Sequence, residues 1–222
     1  MSYFVEKKMI SYKIRRTQIR LTHLCRKENR ERRLDMSEVN THKEANAGPL
    51  GLLGFGMTTV LLNLHNAGVI EMSVMILAMG LAMGGLAQFI AGLMEFKAGN
   101  TFGATAFTSY GLFWWSLVII LVNPPILAAE AADGISLGFY MLLWCIFTLF
   151  MFIGTMKANH ATQIVFFTLM LLFLLLAIEN FTGAHIVGII AGIEGIVCGA
   201  SAIYTAVAGI VDGEFNKPIM PV

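Results

Sequence analysis

From residue 46 onward the chain is a succession of long apolar runs separated by short polar clusters. Six runs, at about 50–70, 72–96, 102–123, 137–156, 162–181 and 185–210, each approach the roughly 20 residues a helix needs to cross hydrocarbon. Asn63, His65 and Asn66 mark the far end of the first run. Asn123-Pro124-Pro125 closes the third, because proline supplies no backbone donor and stops a helix. Ala128–Gly134 makes the longest loop, and Glu179–Gly183 separates the last two runs. The pattern predicts an all-α integral membrane protein with six transmembrane helices.

Composition agrees with that class: 13% of the residues are charged, against about 25% in soluble chains. Charge placement adds more. Residues 1–35 hold eleven of the fifteen Lys and Arg, against Glu6, Glu28, Glu31 and Asp35. The chain therefore divides into a basic tail at 1–45, a six-helix domain at 46–212 and a short C-terminal tail at 213–222. The basic tail could meet anionic lipid or nucleic acid. Met36-Ser37-Glu38-Val39 reads equally well as a natural start, which would make 1–35 a start-site extension. The tail is assigned no function, and no nucleic-acid partner is expected.

Beyond the tail, Lys97 and Lys157 follow the second and fourth runs, and Lys217 follows the sixth. The other turns hold Glu71, Glu130, Asp133 and Glu179 with no Lys or Arg. Basic residues stay on the cytoplasmic side, so both termini are expected there, in a multi-pass protein of the inner (plasma) membrane.

Enzyme chemistry finds little support. Cys25, Cys145 and Cys198 lie far apart without a CxxC spacing, and His65, His160 and His185 have no second ligand at metal spacing. No HExxH, GxSxG, Walker or dinucleotide fingerprint is present. The expectation is no enzyme, no cofactor and no metal.

A weak internal repeat gives the first candidate site. The odd-numbered runs are preceded by Lys43/Asn46, Lys97/Asn100 and Lys157/Asn159. Nine or ten residues beyond each Asn stand Phe55, Tyr110 and Leu169. At 1.5 Å per residue all three lie about 14–15 Å in, near mid-bilayer. Three hairpin-like units around a central pathway would bring them together.

Polar residues within the runs are the second signal, since they cost free energy at membrane depth without a partner. Gly84, Gln88, Ala91 and Glu95 share one helical face. Gln88 at mid-span serves either a substrate carboxylate or a neighbouring helix. Glu95 anchors the turn through Lys97 or a backbone donor. Thr108 and Tyr110 could replace part of a ligand's water. Asn46 with Pro49, and Asn100 with Thr101, can start helices whose positive ends face the cytoplasmic mouth and favour anions, or are ordinary caps. Glu194, near the middle of the sixth run, is either a proton site or a neutral hydrogen-bonded carboxyl. The series Gly188, Gly192, Gly195, Gly199 and Ala202 suits close helix packing, and Trp114, Trp115 and Trp144 fall inside runs, as packing residues do.

Asn46–Gly68 (NAGPLGLLGFGMTTVLLNLHNAG), Ala87–Trp114 (AQFIAGLMEFKAGNTFGATAFTSYGLFW), Phe147–Lys157 (FTLFMFIGTMK) and Cys198–Tyr204 (CGASAIY) closely resemble the acetate uptake transporters. The resemblance spans about 46–221. It implies a six-helix protomer with its own pathway, assembled as a homohexamer, carrying acetate and related short carboxylates such as succinate. It also implies a constriction of Phe55, Tyr110 and Leu169, with Ala202 tied to substrate choice. Two departures stand out. Ala47 replaces the first proline of the family's NPAPLGL pattern, and Glu194 stands where a close family member has an apolar residue. Transport as proton symporter or as anion channel is thus the leading expectation; a structural or sensory bundle that transports nothing is the alternative.

Overall fold

The structure, a computed structural model, describes residues 26–29, 45–123 and 130–222. Most of the basic tail, the Met36–Val39 start, Lys43, Cys25, Pro124-Pro125 and the first two residues of the 128–134 loop lie outside these residues. Residues 26–29 are helical and belong to a unit of their own; residues 46–222 form the other.

Six helices stand where the apolar runs place them. They are α1 (Gly48–Asn66), α2 (Val74–Lys97), α3 (Thr101–Val122), α4 (Gly134–Gly154, prolonged by a 3-10 turn over Thr155–Lys157), α5 (His160–Thr182) and α6 (His185–Phe215). The last five are long and apolar enough to cross a membrane. The first, of 19 residues, is diluted by Thr58, Thr59 and Asn63, all buried on its inner face.

Side-chain caps set several starts. Asn100 Oδ1 accepts the Gly103 N–H at 3.1 Å, Asp133 Oδ1 the Ser136 N–H at 2.7 Å and Asn159 Oδ1 the Thr162 N–H at 2.8 Å. Each satisfies a donor that the first helical turn leaves unpaired. The bonds to Ser136 also hold the exposed Asp133 carboxyl below its ordinary 3.8. At α1 the cap position falls to Ala47, and Asn46 reaches past it to the Gly48 N–H at 2.9 Å.

Close contacts show which ends meet. Pro49 at the start of α1 lies against Gly209 late in α6, and Phe102 at the start of α3 against Gly154 at the end of α4. At the opposite end Gly192 meets Asn66 and Ala67, and Gly134 meets Asn180. Lys97, Lys157 and Lys217 therefore gather at one end of the bundle, and Glu71, Glu130, Asp133 and Glu179 at the other.

Consecutive helices pack together except α3 and α4, and the tightest pair joins the first helix to the last. Backbones approach most closely between α1 and α6, α4 and α5, α5 and α6, and α2 and α3, whereas α3 and α4 barely touch through their backbones. Side chains decide this. A methyl on Gly199 would stand 2.7 Å from the Gly56 carbonyl oxygen, and one on Gly56 would stand 2.7 Å from that of Gly199, so this crossing requires both glycines. Between α3 and α4, by contrast, Phe113 stacks on Tyr140 at 5.8 Å and meets Trp144 edge-on at 5.1 Å. Bulk of that size holds the axes apart.

Two features depart from the sequence reading. Over Gly80–Ala87 the backbone of α2 widens into a π-helix. Trp115 of α3 lies over Gly85 and donates its indole N–H to the Leu81 carbonyl at 3.0 Å, while the Thr58 hydroxyl of α1 reaches the Met79 carbonyl at 3.3 Å. Outside groups thus engage carbonyls along the widened turn, a setting typical of π-bulges. Helix α6 continues through Phe215, past the sixth run's expected end at 210. The chain then turns back: Asp212 Oδ1 accepts the N–H groups of Ile219 and Met220 at 2.7 and 3.1 Å, and the Tyr204 hydroxyl donates to the Pro221 carbonyl at 2.8 Å.

Candidate functional site

Phe55 from α1, Tyr110 from α3 and Leu169 from α5 are each at most 5% exposed and share one apolar cluster with Ala202 of α6. The depth argument from sequence therefore brought together residues that also meet in space. The Phe55 and Tyr110 rings lie 6.2 Å apart. Tyr110 is further boxed by Phe147 at 5.4 Å, Trp144 at 5.9 Å and Phe166 at 6.3 Å. Its hydroxyl lies 2.9 Å from Thr148 Oγ1, which itself lies 2.7 Å from the Trp144 carbonyl. Thr148 has one proton and gives it to that carbonyl, so Tyr110 is the donor of the pair.

On the acidic side of this cluster lies a cavity of about 190 Å³. Phe55 and Leu169 form part of its wall, with Leu172, Phe173 and Phe113 beside them, and His65, Asn66, Glu179 and Asn180 toward the end of the bundle. Tyr110 is not among the described residues that line it. The cavity thus stops against the Phe55–Leu169 side of the cluster, and Tyr110 lies behind that side.

The remaining candidates are spread along the axis. Gln88 is 1% exposed, its Cγ turned toward Gly54 of α1 and its Oε1 without a hydrogen-bond partner among the described residues. It belongs to the α1–α2 contact beside Phe55. Thr108 sits in the α2–α3 contact, against Gly92, and does not reach the cavity. Asn46 and Thr101 are exposed at the basic end. Asn100 does more than cap: its Nδ2 donates to Glu95 Oε2 at 2.6 Å, so the buried Glu95 finds its partner there and not in Lys97. Glu95 and Asn100 together pin the α2–α3 turn next to Gly48 of α1.

Glu194 is the tenth of the 31 residues of α6, well toward the acidic end and not at its middle. The reason is the longer helix, which runs to Phe215. Both its carboxylate oxygens are buried without a partner among the described residues. No group of three or more His, Cys, Asp or Glu among the described residues could hold a metal ion. Sequence reasoning missed Thr59 and Trp114, which line the cavity and each carry a polar atom buried without a partner among the described residues. Trp114 read as packing because its neighbours are apolar, and Thr59 was one of two adjacent threonines with nothing to separate them. The signal was available: Thr59 stands four residues beyond Phe55 and Trp114 four beyond Tyr110.

A bundle of apolar helices around a polar-rimmed cavity is the architecture of a multi-pass membrane protein of the channel or transporter class. The chain belongs to the GPR1/FUN34/yaaH family, whose pattern it matches over residues 30–221. It is 52% identical over 180 residues to the succinate-acetate/proton symporter SatP of Escherichia coli K12, covering 81% of this chain and 96% of that protein. It is 35% identical over 201 residues to acetate permease A of Emericella nidulans, covering 83% of this chain and 67% of that one. The solved structure of the bacterial acetate channel SatP superposes with a TM-score of 0.79 at 52% identity, covering 81% of this chain and 99% of that one.

Proposed function

We propose that this protein carries acetate and related short carboxylates, succinate among them, across the inner membrane through a constriction of Phe55, Tyr110 and Leu169. Three helices deliver these side chains to one apolar cluster beside a cavity, and that convergence is the observation that carries the reading. The names of the relatives supply the substrate class. All six helices span the bilayer, with the lysine-bearing end and both termini in the cytoplasm. The protomers assemble as a homohexamer, their apolar outer faces meeting lipid and one another.

The chemistry follows from dielectric. A carboxylate moving through an apolar layer loses hydration that nothing there replaces. Either it crosses as the neutral acid, which makes transport proton-coupled, or donors along the way stand in for water, which makes a channel. The helix starts at Asn46 and at Asn100–Thr101 draw the anion to the cytoplasmic mouth. Gln88 and Thr108 support the pathway wall from behind, and Ala202 keeps the layer beside Leu169 open for small acids. Glu194 is the candidate proton site, its oxygens buried without a partner.

Uptake of labelled acetate into proteoliposomes, with and without a pH difference, tests the reading. Saturable uptake by the purified protein is expected; none at all would return the chain to the class of structural bundles. Flux that ignores the pH gradient and carries current would exclude symport. The Glu194→Gln variant is expected to flatten the pH dependence, and an unaltered profile would remove Glu194 from the mechanism.

A further inference from the structure

Helix α2 is regular at both ends and widened between them. The widened part, Gly80–Ala87, has glycine at Gly80, Gly84 and Gly85, and glycine disfavours a regular helix. Widened turns of this kind draw on groups from outside the helix and frequently mark functional sites. Thr58 of α1 has a single proton, and the Gly54 carbonyl at 2.8 Å is nearer to it than the Met79 carbonyl at 3.3 Å. Trp115 of α3 is the firmer partner, because its indole N–H can only donate and meets the Leu81 carbonyl at 3.0 Å.

The same stretch touches both helices that carry the aromatic constriction residues. A methyl on Gly54, the residue before Phe55, would stand 2.5 Å from the Met83 carbonyl oxygen. One on Gly111, the residue after Tyr110, would stand 2.9 Å from the Gly85 carbonyl oxygen. Met83 and Gly85 both lie inside the π-helix. One piece of α2 backbone thus abuts the chain beside Phe55 and the chain beside Tyr110, whose rings lie 6.2 Å apart. Trp115 is half-buried, packs its ring 5.5 Å from that of Phe89 and is not among the residues that line the cavity.

We propose that the Gly80–Ala87 π-segment is a strut that sets the separation of Phe55 and Tyr110, with Trp115 as the positioning residue that holds it in its widened form. Both glycine contacts are already at touching distance, so releasing the segment lets the two helices part and cannot bring them closer. The gap between the rings then widens, and larger acids gain passage. This rests on the constriction reading above and adds to it a selectivity-setting residue outside the cavity wall.

The test compares full-length wild type, Trp115→Phe and Phe89→Leu for acetate and lactate uptake in proteoliposomes and for melting temperature in detergent. Trp115→Phe keeps a ring but loses the N–H. Phe89→Leu loosens the same pair of rings and leaves the bond in place. Trp115→Phe is expected to raise the lactate-to-acetate ratio roughly threefold, within the effect of one neutral hydrogen bond. Phe89→Leu is expected to lower the melting temperature and leave the ratio unchanged. Retained acetate uptake with an unchanged ratio in Trp115→Phe, or an equal rise in Phe89→Leu, overturns the positioning role and leaves transport standing. A second arm needs no transport and uses 15N-labelled tryptophan. The Trp115 indole resonance, identified by its loss in Trp115→Phe, is expected to shift in Gly54→Ala, which presses on Met83 from α1. It is expected to hold still in Val60→Ala, on the side of α1 that faces Gly199 of α6. A resonance that ignores Gly54→Ala, or moves as far in Val60→Ala, overturns the strut. A shift confined to Gly54→Ala with no uptake by the wild type overturns the transport reading and keeps the strut. Either arm decides alone where the other's variant fails to fold.

Discussion

The α1–α6 contact and the α3–α4 contact solve opposite problems. Along the first, glycines let two backbones touch: Gly56 faces Gly199, Gly195 meets the Asn63 side chain and Gly192 meets Ala67. Along the second, Phe113, Tyr140, Trp144 and Tyr110 keep the backbones apart and fill the gap with rings. Backbone contact leaves no room for a substrate. A gap closed only by side chains can be opened by rotating or shrinking them. The cavity and the proposed constriction accordingly lie on the aromatic side, and the glycine seam works as the fixed wall.

The strongest way to break this contrast is to force the seam open. Gly199→Leu puts a branched side chain where even a methyl meets backbone. It is expected to cost about 3 kcal/mol, the top of the overpacking range, seen as a large drop in the melting temperature of the detergent-solubilised protein. A variant that melts like the wild type would mean the seam yields as readily as the aromatic side.

Loosening the side-chain closure should cost less and change function more. Leu169→Ala is expected to lose about 2 kcal/mol, the low end for buried leucine, because the site already borders a cavity. Its acetate uptake should persist while larger acids gain passage. Tyr110→Phe is milder still. It removes the bond to Thr148, which keeps its own bond to the Trp144 carbonyl. A loss of about 1 kcal/mol in thermal stability checks that.

The smallest effect concerns neither contact but the acidic end. Asp133 caps α4 as a carboxylate, and its bonds to Ser136 hold its pKa below 3.8 in the folded state. A depressed folded pKa means the cap contributes above the unfolded value and fades as pH falls through the folded one. Asp133→Ala should therefore lower the melting temperature slightly near neutral pH, and by progressively less as the pH falls below 3.8 through the folded pKa. A pH-independent difference would assign the effect to something other than the carboxylate.

How much of this was legible beforehand depended on whether a residue announced itself by type or by neighbour. Helix positions were legible because polar breaks at Asn63–Asn66, Lys97–Asn100 and Glu179–Gly183 interrupt otherwise apolar sequence. Phe55, Tyr110 and Leu169 could be aligned because rise per residue converts spacing into depth. The order of packing could not be read, because runs that are apolar all round carry no periodic face to say which helix they meet. The π-helix over Gly80–Ala87 was hidden for the same reason: Trp115, which engages it, sits 34 residues from Leu81. Gln88 and Glu95 shared a predicted face, yet the Asn100 partner of Glu95 emerged only from the geometry of the turn.

The central claim is that side chains alone close the pathway at Phe55, Tyr110 and Leu169, and its most direct test is selectivity. Lactate and acetate uptake are measured side by side in proteoliposomes holding wild-type protein or Leu169→Ala. The account predicts a lactate-to-acetate ratio several-fold higher in the variant, with acetate uptake retained. Retained acetate uptake with an unchanged ratio would contradict it.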